Sequence, residues 1–196
     1  DLAGFCVGVV ERKHLIDGSS VTPGDAVLGV ASSGLHSNGF TLVRRVVFDM
    51  QGLGVNDFVP QLGQTVGQAL LTPTRIYARP VRRILNHYKV KNVVHAIAHI
   101  TGGGLKDNLQ RVLPQGSRAV IQPGSWEVPP VFHWIQQLGS ISDEEMARVF
   151  NMGLGLILIV SPFYAESICR LLADSGLNSS RIGQIVAGPR GVVWAE

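Results

Sequence analysis

The sequence predicts an α+β fold, a layered α/β sandwich in which a mixed sheet is covered by helices. Three observations carry that expectation. Strand-like and helix-like segments intermingle along the 196 residues instead of segregating into halves. With 45% hydrophobic and only 16% charged residues, the chain can bury a substantial core. The 23 glycines and 10 prolines fall between the apolar runs, as turn punctuation does. Strict Rossmann alternation is absent, and no period of about 20 to 50 residues suggests a solenoid or propeller.

Taken in order, Asp1 to Glu11 (DLAGFCVGVVE) is β-rich and reads as a strand whose backbone groups need a neighbouring element. Asp17-Gly18 and Pro23-Gly24-Asp25 are turns, and a second unit is expected to begin near Asp17. Ala26 to Ala31 is a short apolar run suited to a buried strand. Leu42, Val43, Val46 and Val47 repeat at helical spacing from Phe40 to Met50, where Gly52-Leu53-Gly54 ends the helix. Loop is expected up to Gly67. A helix follows from Thr74 to Tyr88, with Thr72 or Thr74 as its cap, then a β-branched strand from Val93 to Ala98. Leu105, Leu109, Val112 and Leu113 mark a helix that Pro114 closes. Strands are expected at Arg118 to Ile121, Leu154 to Val160, Arg181 to Ala187 and Val192 to Ala195, with helices at Val131 to Leu138, Asp143 to Phe150 and Tyr164 to Ser175.

A net charge of +3, from 17 basic and 14 acidic residues, does not point to nucleic acid. The basic stretch Arg79 to Lys91 is interleaved with Ile84 and Leu85 at helical spacing, and reads as a solvated helix face. Cys6 and Cys169 belong to no pair or cluster and read as buried thiols in a reducing compartment. No apolar run approaches the roughly 20 residues of a membrane span, so a cytoplasmic protein is expected.

Three segments can carry chemistry. Ser32 to Gly39 (SSGLHSNG) joins a buried strand to a helix that Ser37 or Asn38 can cap. Unpaired N–H groups at such a turn suit an anion, and His36 adds an imidazole. The octapeptide reads equally as a polar capped turn. His95 to Gly104 (HAIAHITGGG) repeats the strand–glycine–helix arrangement, and a run of three glycines is costly in chain entropy unless the backbone or a ligand requires it. His95 and His99 share a strand face. Metal binding by that pair is disfavoured, because the segment reads as a strand and no Glu follows His95. His95 reads as a packed core histidine, and His99 as the functional candidate. Asn151 to Gly155 (NMGLG) precedes the last long apolar strand and on its own reads as a helix end. Gly-Lys, G-x-G-x-x-G and G-x-S-x-G are absent, and no compact carboxylate set has metal-ligand spacing.

In this order, DLAGFCVGVVE, SSGLHSNG, LTPTRIY (residues 71–77), HITGGGLKDNLQRVLP (residues 99–114) and FNMGLG (residues 150–155) resemble the carboxy-terminal half of the aminoimidazole ribonucleotide synthetases. The resemblance implies that residues 1–16 are the last strand of an amino-terminal ATP-binding domain and that 17–196 form the carboxy-terminal α/β sandwich. It implies ATP-dependent ring closure of formylglycinamidine ribonucleotide in purine biosynthesis, by a homodimeric enzyme whose ATP and Mg²⁺ ligands lie mainly in the other half. No metal ligand is assigned here, and the chain alone is expected to be inactive. His36 and His99 would be catalytic donors or proton carriers. Ser33, Gly34, Ser37, Asn38, Gly39, Thr101, Gly102, Gly103, Gly104, Asn151 and Gly153 would bind substrate or phosphate. The rival readings are a noncatalytic anion-binding domain or partner subunit, or another ATP-dependent enzyme of the superfamily, such as thiamine monophosphate kinase.

Overall fold

The computed structural model describes residues 4–195. In chain order the elements are β1 (Ala26–Ala31), α1 (Phe40–Arg44, continued as a π-helical stretch Arg45–Met50), β2 (Phe58–Val59), β3 (Gln64–Thr65), α2 (Val66–Leu70), α3 (Ala78–His87), β4 (Val94–His99), α4 (Gly104–Arg111), β5 (Ser117–Ile121), α5 (Pro130–Gly139), α6 (Asp143–Val149), β6 (Leu154–Val160), α7 (Ala165–Ala173), β7 (Ser179–Ala187) and β8 (Gly191–Trp194). Six strands form one sheet in the order β4-β6-β1-β7-β5-β8, and β2 pairs with β3 in a separate ribbon. All pairings in the main sheet are antiparallel except β5 with β8, so the sheet is mixed, as expected.

Helices cover both faces of the sheet. All seven residues of β6 are buried, which is why its sequence is continuously apolar rather than alternating. On one face Val27, Ile157 and Ile159 meet Leu105 and Leu109 of α4. On the other, Leu28, Leu156 and Leu158 meet Ile84 of α3 and Ile168 and Leu172 of α7. A third cluster, including Val43, Val66, Phe132, Met146 and Phe150, joins α1, α2, α5 and α6. Each large aliphatic side chain so buried contributes about 1.5–3 kcal/mol relative to exposure.

Most elements lie where the sequence predicts them, and five local expectations are corrected. Helix α2 replaces part of the expected loop; Thr65 and Gln68 cap it reciprocally, a T-x-x-Q signal ahead of a helix too short to show periodicity. Gly39, not Ser37 or Asn38, occupies the cap position of α1, with φ of 78° and no side-chain cap. Tyr77, not Thr72 or Thr74, precedes α3, because residues 71–77 are held against the first glycine turn. The strand expected across residues 1–11 lies partly outside the described residues, and residues 4–11 form none: they are exposed and pair with neither edge of the sheet. Cys6 in that segment is exposed rather than buried, and Cys169, on α7, is half-buried against the core.

At the sheet end where β1 and β4 begin, His95 Nδ1 lies 2.7 Å from Asp25 Oδ2, and its Nε2 lies 3.2 Å from Asn92 O and 3.3 Å from Ser161 Oγ. His95 thus ties three chain segments together, the packed role expected for it. The exposed basic side of α3 includes Arg83, which reaches Asp174 at 3.3 Å, while Ile84 points into the core. No described helix is long and apolar enough to cross a membrane.

Candidate functional site at the end of the sheet

Strands β1 and β4 flank β6 and both run antiparallel to it, so their carboxy-terminal ends emerge together beside the start of β6. Ala31 is opposite Leu154, and His99 is opposite Leu156. The connections continue the ladder: Ser32 N–H donates to Gly153 O at 2.8 Å, and Ile100 N–H to Gly155 O at 2.9 Å. Topology therefore gathers the three predicted segments, 32–39, 99–104 and 151–155, at one edge of the sandwich.

The LTPTRIY segment closes over the first turn. Ser33 Oγ donates to Pro73 O at 2.6 Å, and Ser37 Oγ lies 3.0 Å from Thr74 Oγ1. Tyr77 is buried, its hydroxyl donating to Ala31 O at 2.9 Å. Burial pushes that phenol up to about 12, so it is neutral. Its hydroxyl and the His36 ring occupy the space a side chain at Gly155 would need. His36, Tyr77 and His99 form a row, with ring centroids 6.1 Å and 6.2 Å apart.

The two histidines differ in kind. His36 is 4% exposed and left-handed at φ 57°, a conformation that costs a non-glycine residue about 1 kcal/mol. Its Nε2 accepts from Ser33 N–H at 3.1 Å and Arg75 N–H at 3.5 Å, which places the proton of the neutral ring on Nδ1. Among the described residues Nδ1 has no partner. Burial, and then the charges of His99 and Arg75, lower its pKa to about 4. His36 is therefore a neutral Nδ1–H donor near pH 7 and a poor proton carrier. His99 is exposed at the end of β4.

A lowered pKa has a consequence for stability. Between about 4 and the unfolded value near 6.5, only the unfolded chain protonates residue 36, so this contribution is present above pH 6.5 and is lost as pH falls through about 4. Urea unfolding of wild type and His36→Gln across pH 4 to 7 is expected to show a steeper loss on acidification in wild type. Parallel pH dependences would contradict the buried neutral assignment.

Asn151 turns its side-chain amide inward, onto the first turn. It is 1% exposed; its Oδ1 accepts from Ser32 Oγ at 3.0 Å and Gly153 N–H at 2.8 Å, and its Nδ2 donates to Gly34 O at 2.8 Å. It is an internal clamp on the first turn, because closure of the ladder between Ser32 and Gly153 leaves these groups away from water. Asn108, which sequence reasoning passes over, holds the second turn in the same manner: it accepts from Thr101 Oγ1 at 3.0 Å and donates to Gly104 O at 2.7 Å. Thr101 is thereby turned inward.

Among the predicted glycines, Gly39 packs on the Phe150 ring, Gly103 on the Asp107 side chain, and Gly153 on Pro129 and the Glu127 backbone. Gly104 lies against Ala147 O. Gly34 and Gly102, in contrast, face open space, with Asn38 half-buried at the turn beside Ser37. A cavity of about 460 Å³ adjoins these turns, lined by Gly103 and Asn151 together with Trp126, Lys106, Glu144 and Arg148. Sequence reasoning also missed Tyr77 and Gly155, since an aromatic and a glycine acquire this meaning only once β1, β6 and residues 71–77 meet.

Residues 22–196 match the family model described as AIR synthase related protein, C-terminal domain. The phosphoribosylformylglycinamidine cyclo-ligase of Geotalea daltonii is 48% identical over 198 residues, covering 100% of this chain and 55% of its own length. That of Pseudothermotoga lettingae is 50% identical over 193 residues, covering 98% and 55%. The chain spans about half the length of the curated relatives it matches. Among solved structures, thiamine-monophosphate kinase from Stenotrophomonas maltophilia has a TM-score of 0.61 at 18% identity, covering 94% of this chain and 54% of that one. The hydrogenase maturation protein HypE in complex with ATP has a TM-score of 0.56 at 19% identity, covering 90% and 49%. At these identities the structural likeness establishes the fold.

Proposed function

Because the chain belongs to the family of AIR synthase related proteins, as their C-terminal domain, we propose that it supplies one wall of the active site of a phosphoribosylformylglycinamidine cyclo-ligase. The reaction is ATP-dependent closure of the imidazole ring in purine biosynthesis. ATP phosphorylates the formyl oxygen of formylglycinamidine ribonucleotide, nitrogen attacks the activated carbon, and phosphate leaves. Identities of 48% and 50% to cyclo-ligases, against 18% to a thiamine-monophosphate kinase, favour this reading over its superfamily rivals.

Convergence of two glycine turns beside His36, Tyr77 and His99 is the observation that carries the proposal. Backbone N–H groups at such turns stabilise phosphate oxygens without reorganising, which is what phosphoryl transfer needs from its surroundings. Gly34 and Gly102 leave room for a ligand to approach the backbone. The buried Nδ1–H of His36 lacks a protein acceptor among the described residues, and a ligand oxygen between the turns would supply one. His99, exposed, is the group assigned to exchange protons with substrate. Ser37 and Asn38 border the same opening. Residues 1–16 are proposed to complete an amino-terminal domain, in a cytoplasmic homodimer that brings most ATP contacts.

Among the described residues no group of three His, Cys, Asp or Glu side chains could hold a metal ion.

In the full-length enzyme, His99→Ala is expected to lower turnover by about 100-fold, the lower range for loss of a general acid or base, with unchanged unfolding. ADP release and imidazole formation measure this together. Wild-type turnover in the variant would remove His99 from the chemistry, and cyclisation by residues 1–196 alone would overturn the division between two domains.

A further inference from the structure

Gly102 has neither a left-handed φ nor any atom within 4 Å of where a Cβ would stand, so nothing in this chain's packing demands glycine there. Its neighbours differ: Gly103 and Gly104 have φ of 93° and 62° and contacts a side chain would violate. Glycine at 102 is explained by close approach of something outside the chain.

Beneath this open position lies Asn108, 5% exposed on the first turns of α4. Its Nδ2 donates to three carbonyls of the turn, Thr101 O and Gly102 O at 3.2 Å and Gly104 O at 2.7 Å. Its Oδ1 is held by Thr101 Oγ1 at 3.0 Å and Arg111 Nη1 at 3.3 Å, which fixes the orientation of the amide. Within one peptide plane the C=O and the following N–H point in opposite directions. Drawing the carbonyls of Thr101 and Gly102 inward therefore turns the N–H groups of Gly102 and Gly103 outward, the orientation in which successive backbone N–H groups can receive an anion.

We propose that Asn108 is a positioning residue, which presets the Gly102 and Gly103 N–H groups to receive the oxygens of a phosphoryl group at the open face over Gly102. The inference rests on the reading of this turn as an anion site and adds the residue that shapes it. Asn108 touches no ligand itself; it acts through the backbone it holds.

The test follows glycine amide resonances of the ¹⁵N-glycine-labelled full-length enzyme as inorganic phosphate is added. In wild type, the Gly102 and Gly103 amides are expected to shift with saturation. In Asn108→Ala, those amides should already be displaced without ligand, and the dissociation constant for phosphate should rise at least tenfold. If Asn108→Ala fails to fold, Asn108→Ser, which keeps an acceptor for Thr101 but cannot reach three carbonyls, is read in the same titration with the same expectation. Wild-type amide positions and phosphate affinity in the folded variant would overturn the role of Asn108 while leaving the anion turn intact. Unmoved Gly102 and Gly103 amides in wild type would instead sink the anion-site reading, and this proposal with it.

Discussion

Replacing Gly104 by alanine is expected to destabilise the protein by about 3 kcal/mol, the sum of a left-handed penalty near 1 and an overpacking cost of 1–3. Gly104 has φ of 62°, and a Cβ there would overlap Ala147 O, a backbone atom of α6 that cannot swing aside. Either α4 and α6 separate or the turn after β4 distorts, and both disturb packing around Leu105 and Phe150. For a chain of this size the loss corresponds to a fall in Tm of about 6–12 °C. Gly102→Ala is the matched control: two residues away, with open space and ordinary backbone, it should unfold within about 0.5 kcal/mol of wild type. Equal stability of the two variants would refute the packing argument.

Asn151→Ala should be comparably severe. It leaves Ser32 Oγ, Gly153 N–H and Gly34 O without their shared partner in a region closed to water. A buried polar group deprived of its partner costs about 1–3 kcal/mol, so the total is expected near 3 kcal/mol after partial relaxation. Releasing Gly34 also loosens the turn that holds His36, and turnover of the surviving folded enzyme should fall. Urea unfolding and turnover measured on the same preparations check both effects. Lost turnover at full stability would mean that Asn151 meets substrate directly, as the family resemblance implies.

The inward turn of the Asn151 amide is not legible in one dimension. The segment Asn-Met-Gly-Leu-Gly is visibly a turn before a buried strand, and the glycine turns at 32–39 and 102–104 are recognisable as breaks between strand and helix. Which of their atoms face a ligand is another matter. Asparagine at the surface and asparagine in a buried clamp look the same in one dimension. His36 raises the same problem: its position in a polar octapeptide suggests an accessible imidazole, yet residues 71–77 fold over it and leave it neutral and enclosed. Tyr77 belongs to a segment tens of residues away from both turns, so no local spacing connects it to them.

The intermingling of strands and helices, the burial of β1, the mixed α+β class and the family are legible in the residues, because they depend on local apolar patterning and on ordered segments read along the chain. Folding adds that β1 and β4 end beside the start of β6, that His36, Tyr77 and His99 align there, and that Asn108 and Asn151 grip the turns from behind. Antiparallel pairing joins residues more than a hundred positions apart, and a side chain's role follows from what stands opposite it; that information resides in the ladder between strands, not in any stretch of neighbours.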